Sequence, residues 1–177
     1  LFRSVVENGE IVDTWESFIK PNQHLPQNIQ ALTGISPDML VNAPEFAKIA
    51  DLLLEKLTGR VLVAHNARFD YGFLKNEFSR AGISYTTKPL CSVKLSRTLY
   101  PHFRRHGLDQ IIKRFKLNIH NRHRAFDDAK AIYDFFMHTS HLFAQDDISA
   151  VCDQLNEQAN LPQKLNPKVI KTLPKQP

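Results

Sequence analysis

An α/β fold is predicted by three features of this 177-residue chain. Short apolar runs alternate with stretches whose apolar residues recur at helical spacing. Two of those runs flank Asn8-Gly9, the two-residue signal for a type I′ hairpin. A third, Val61-Leu62-Val63, leads through Ala64 and His65-Asn66-Ala67-Arg68-Phe69 to Asp70. A carboxylate therefore stands where a strand hands over to a helix, the edge at which α/β folds place their ligands.

Each element follows in order. Residues 1–6 and 11–19 form the hairpin, whose second strand is stopped by Pro21. Residues 26–40 read as one or two short helical turns, broken at Gly34 and Pro37. Pro44 opens an amphipathic helix with Phe46, Ile49, Ala50, Leu53, Leu54 and Leu57 on one face, ended by Gly59. Residues 60–64 form a strand, 67–80 a helix ended by Gly82, and 89–93 a short strand. Helices follow over 92–99, up to Pro101, and over 107–115. The helix over 126–141 carries Phe126, Ala129, Ile132, Tyr133 and Phe136 as its apolar stripe. Trp15, Phe73, Leu74 and Phe78 are expected in the core.

The composition, 42% hydrophobic with 12 Phe, is enough for one sizeable core. Residues 1–143 are expected to form one domain. Residues 144–177 follow as a helix over 145–159 and an extended segment with four Pro and four Lys. A mean hydropathy of −0.33 and the lack of a long apolar run argue against a membrane span. The N-terminus reads as a strand rather than a signal peptide. Cys91 and Cys152 fit neither a redox pair nor a zinc pattern and read as reduced thiols of a cytoplasmic protein.

Charge is unevenly spread. Residues 94–124 hold nine Lys or Arg against Asp109 alone, a net +8 in a chain of +5, so all other residues sum to −3. Such a segment is either the solvated face of two helices or an attractor of phosphates, and its position favours the second. It leads into His123-Arg124-Ala125-Phe126-Asp127-Asp128. On a continuous helix a His and an Asp five apart are about 140° apart and share no face. If the helix starts near Phe126, His123 sits on the preceding loop and can fold back beside Asp128. A hard cation can then bind the carboxylates while an imidazole works on a water.

Each candidate has a plainer role. Asp70, Asp127 and Asp128 are first-turn acids that a helix dipole favours by a fraction of a kcal/mol, roughly. His123 alone is an ordinary surface histidine, and His120-x-x-His123 is at most half a zinc site. His65 and Asn66 either contact substrate or satisfy backbone groups at the strand end. Phe69 is either core or a base-stacking platform, with core the first expectation.

The runs around Asp70 and around His123 and Asp128 resemble the second and third motifs of the DEDDh 3′–5′ exonucleases, typified by the proofreading epsilon subunit of bacterial DNA polymerase III. Leu32-Thr33-Gly34-Ile35-Ser36 is also similar to a family segment, and the resemblance covers residues 1–136. It implies a ribonuclease H-like fold, a mixed central β-sheet flanked by helices, with residues 1–143 as the exonuclease domain. It implies two Mg²⁺ or Mn²⁺ ions held in part by Asp70 and Asp128, with His123 as general base. Release of nucleoside 5′-monophosphates from DNA 3′ ends follows. His65, Asn66, Phe69 and, from the basic segment, Arg97 are the candidate contacts to the strand. The expected setting is the bacterial cytoplasm, alongside a DNA polymerase. The ending Leu173-Pro174-Lys175-Gln176-Pro177 resembles the lead-in to a GIY-YIG nuclease domain, the other expected partner.

The family's first motif, Asp-x-Glu on the central strand, does not occur in these residues. By resemblance the chain starts on the second strand, so the first is expected upstream of residue 1. The residues at hand are expected to bind metal weakly alone. The alternatives are a catalytically silent DNA- or protein-binding module of the same fold, and an RNA-trimming exonuclease.

Overall fold

A computed structural model describes residues 2–119 and 125–157. The expected Pro/Lys-rich segment and its GIY-YIG lead-in lie outside these residues, as does His123. The chain divides into two compact units, each discontinuous in sequence.

Among the described residues the first unit takes 2–60, Phe73–Thr86, Ile119 and 125–130. Strands β1 (Phe2–Glu7) and β2 (Glu10–Glu16) pair antiparallel, with Glu7 opposite Glu10. Asn8 and Gly9 both have positive φ, 53° and 83°, as a type I′ turn demands. A bulge between Val5 and Val6 shifts the register. Helices α1 (Gln27–Thr33) and α2 (Pro37–Leu40) are separated by Gly34, whose φ of 65° closes α1. Helix α3 (Phe46–Leu57) buries Phe46, Ala50 and Leu53. Its Lys56 Nζ lies 3.1 Å from the Asp13 carboxylate, which Arg3 also meets at 2.8 Å, so one carboxylate links the hairpin to the helix. Hydrogen bonds from Arg3 and then Lys56 hold the Asp13 pKa down to about 2. Phe78 packs edge-on against Phe46, with ring centres 5.1 Å apart, and against Tyr85 at 4.9 Å.

Among the described residues the second unit takes Val61–Gly72, Thr87–Asn118 and 131–157. Strands β3 (Val63–Ala64) and β4 (Leu90–Cys91) pair parallel. The Leu90 N–H also donates to the Leu62 carbonyl at 2.8 Å. Both strands are shorter than their apolar runs suggest. Pro89 lacks an N–H on one side of β4, and helix α5 (Ser92–Leu99) begins directly on the other. Helices α6 (Leu108–Phe115) and α8 (Gln145–Glu157) complete a core of Leu90, Leu95, Tyr100, Ile111, Phe135 and Val151, among others. Tyr100 lies at its centre, its ring 4.9 Å from Phe115 and 5.5 Å from Phe143.

Helices α4 (Ala67–Arg80) and α7 (Ala125–Leu142) give residues to both units. Three packing expectations need correction. On α4 the buried stripe is Ala67, Leu74 and Phe78, whereas Phe73 is 59% exposed. Neighbouring helix positions point about 100° apart, so Phe73 and Leu74 do not both face inward. On α7 the buried positions are Ala131, Phe135 and Thr139, and Phe126 is exposed. The stripe turns because Phe135 joins the cluster with Tyr100 and Phe115, at 6.2 and 5.6 Å. Trp15, opposite Arg3 near the end of the hairpin, is only half-buried. Among the described residues no helix is long and apolar enough to cross a membrane.

Candidate active site

The junction of β3 and α4 gathers His65, Asn66, Phe69 and Asp70. After Ala64 the chain must reverse into α4, and Asn66 does so with φ of 64°, a conformation Asn tolerates better than most side chains. The Phe69 N–H then donates to the Asn66 carbonyl at 2.9 Å, forming the first helical turn. His65 Nδ1 lies 2.9 Å from the hydroxyl of Ser92, the buried first residue of α5. When that hydroxyl donates, the imidazole carries its proton on Nε2.

Asp70 occupies the first turn of α4 and is half-buried. Burial pushes its pKa above the ordinary carboxylate value, and a hydrogen bond from its own backbone pulls the other way. A desolvated carboxylate on a first helical turn gains from a cation beside it, so its chemistry fits a hard divalent metal. Phe69 is 72% exposed, which overturns the expectation that it is core. It stands one helical turn before Phe73 on the same open face of α4.

Asp128 sits on the first turn of α7 in the first unit, half-buried, with Asp127 beside it in sequence. His123 lies outside the described residues. Among the described residues no three His, Cys, Asp or Glu form a group able to hold a metal ion. Asp70 and Asp128 remain the candidate carboxylates.

The basic segment is heterogeneous. Arg97, Arg104, Arg105, Lys113 and Lys116 are exposed. Arg114 is half-buried and engaged: its Nη2 donates to the Arg105 carbonyl at 2.7 Å, and its Cζ lies 3.6 Å from the centre of the Phe103 ring. Sequence reasoning missed this engagement, and also the Ser92 support of His65. Neither contact has a local signature, because each joins residues from different elements.

Several solved structures share the fold. The nuclease domain of 3′hExo, a DEDDh family member bound to rAMP, superimposes with a TM-score of 0.64 at 21% identity, over 75% of this chain and 74% of that one. Exonuclease X in complex with 5′ overhanging duplex DNA gives 0.60 at 22% identity, over 84% of this chain and 87% of that one. The architecture is thus the ribonuclease H-like fold of DEDDh nucleases. The chain belongs to the exonuclease family whose sequence profile, RNase_T, matches residues 2–136. Relatives include the PolC-type DNA polymerase III of Bacillus cereus, 39% identical over 127 residues, and that of Caldanaerobacter subterraneus, 36% over 132. These alignments cover 71% and 75% of this chain, and in both cases the chain spans 9% of the polymerase.

Proposed function

We propose that the protein removes nucleotides one at a time from DNA 3′ ends, releasing nucleoside 5′-monophosphates. The observation that carries this reading is the Asp70 carboxylate, desolvated on the first turn of α4 beside His65 and Asn66, in a chain of the exonuclease family. Asp70 and Asp128 are the proposed ligands of two Mg²⁺ or Mn²⁺ ions. When bound, such ions stabilise charge developing on a phosphate in flight. His123 takes the proton from the attacking water, a task suited to a side chain that titrates near neutrality. Asn66 and His65 face the terminal phosphodiester, the exposed Phe69 ring stacks on a terminal base, and Arg97 binds backbone phosphate. The PolC-type relatives favour a setting in the bacterial cytoplasm, beside a replicative polymerase.

RNA is the second substrate reading, favoured by rAMP in the 3′hExo structure and by a related structure that concerns 3′-end recognition of a histone mRNA stem-loop. A silent binding module is the rival from another class. Incubating single-stranded DNA with the protein in Mn²⁺ or in EDTA, then separating the products by chromatography, discriminates. Nucleoside 5′-monophosphates in Mn²⁺ alone support the enzyme. Nucleoside 3′-monophosphates, or release that ignores EDTA, contradict it.

A further inference from the structure

Residues 100–107 join α5 to α6 and are held on three sides. The buried His106 ring has both nitrogens engaged, Nδ1 at 2.9 Å from Ser96 Oγ and Nε2 at 2.9 Å from the Phe103 carbonyl. A carbonyl only accepts, so Nε2 carries the proton and Nδ1 accepts from the serine hydroxyl. From α6, Arg114 stacks on the Phe103 ring and donates to the Arg105 carbonyl. The Phe103 N–H donates back to the Tyr100 carbonyl at 3.2 Å. The backbone is therefore fixed at 103 and 105, while the side chains of Arg104 and Arg105 are exposed between and beside these anchors.

This arrangement crowds positive charge. Burial lowers the His106 pKa, its hydrogen bond to the Phe103 carbonyl raises it, and Arg114, Arg97 and His102 lower it again. Arg114 Nη1 is buried with no hydrogen-bond partner among the described residues. None of Arg97, Arg104 and Arg105 has an ion pair with a carboxylate among those residues. Uncompensated cations on a fixed backbone suit an anion supplied from outside. A loop needed only for solubility has no use for one buried and one half-buried anchor.

We propose that residues 100–107 form a pre-organised phosphate-binding loop for a nucleic-acid strand, in which Arg104 and Arg105 contact the phosphates and His106 and Arg114 are positioning residues. The inference rests on the nucleic-acid reading above, but it is independent of turnover. Fixing the loop before binding removes part of the ordering cost that a free arginine pair incurs on contact.

The test is equilibrium binding in EDTA, with oligothymidylate and oligouridylate of equal length, over a salt series. The double variant Arg104→Gln, Arg105→Gln should flatten the slope of log affinity against log salt by about 0.7 for each phosphate no longer neutralised. His106→Leu and Arg114→Lys keep the charge and loosen the anchors. Each should weaken binding roughly 3- to 10-fold, the ordering cost of one or two side chains, at an unchanged slope. Arg114→Lys, being conservative, decides the matter if His106→Leu does not fold. An unchanged slope in the double variant overturns the proposal. So does wild-type affinity in Arg114→Lys, which would reduce the cluster to diffuse charge. Similar effects on both oligomers mark the backbone as the ligand, whereas effects on only one would place the contact at the sugar or base and contradict a phosphate site. Failure to hydrolyse DNA with this pattern intact would count against the exonuclease reading and leave the loop standing.

Discussion

His65 and Ser92 meet at 2.9 Å, imidazole nitrogen to hydroxyl, and so join the end of β3 to the start of α5. The serine is buried and the histidine is not, which makes Ser92 the fixed partner. Ser92→Ala should lower kcat/KM about 5-fold, matching roughly 1 kcal/mol for the removal of one hydrogen bond, and Ser92→Thr should keep it. The ¹⁵N shifts of the His65 ring should report mixed tautomers in the alanine variant and one in the wild type. A single unchanged tautomer in Ser92→Ala would remove the positioning role.

Asp70 is pushed up in pKa by burial, so its ionised form costs the metal-free fold stability. For an acid raised in this way the cost sets in as pH climbs past the ordinary carboxylate value. Asp70→Asn should therefore melt at higher temperature than wild type at neutral pH in EDTA. The same variant should lose divalent binding by calorimetry, an exchange of stability for function. A lower melting temperature in EDTA would show that Asp70 holds the fold together.

His123 and Asp128 should separate under mutation. A base acts in the transition state, so His123→Ala should cut kcat about 10² to 10⁴-fold with metal affinity intact. Asp128→Ala should weaken Mn²⁺ binding directly. Equal loss of metal affinity in both variants would make His123 a ligand or a structural residue.

Asp13 sets part of the acid limb of stability. Its pKa of about 2 in the folded chain lies below the ordinary value near 4, approximately that of an unfolded Asp. The stabilisation from Arg3 and Lys56 is thus complete above the ordinary value and is lost as pH falls towards 2. Thermal melts between these limits should fall more steeply for wild type than for Asp13→Asn. Parallel curves would mean that the pair of cations contributes nothing.

Much of the fold is legible in the sequence, for reasons that differ by element. Asn8-Gly9 forces its turn, because few other pairs accept positive φ twice in succession. The ends of α4 and α5 are readable because Gly82 and Pro101 punctuate them locally. Position along the chain is a local property; the facing of a side chain is not. Phe69 and Phe73 look as apolar as Phe78, and only the packing of Phe46 and Tyr85 on Phe78 decides which ring turns inward. The α7 stripe is misplaced by the sequence for the same reason, since Phe135 is claimed by Tyr100 and Phe115 from elsewhere in the chain. The motif positions of Asp70 and Asp128 on first helical turns are legible. The burial that shifts Asp70 is not, because it depends on neighbours remote in sequence.

The most direct measurement uses single-stranded DNA labelled at its 5′ end, with protein produced from its complete coding sequence in Mn²⁺. A 3′–5′ exonuclease should give a ladder of progressively shorter labelled products, abolished by EDTA and nearly so by His123→Ala. Immediate release of the labelled 5′ nucleotide would reverse the polarity. Labelled DNA that stays full length would contradict the claim that this chain is an exonuclease.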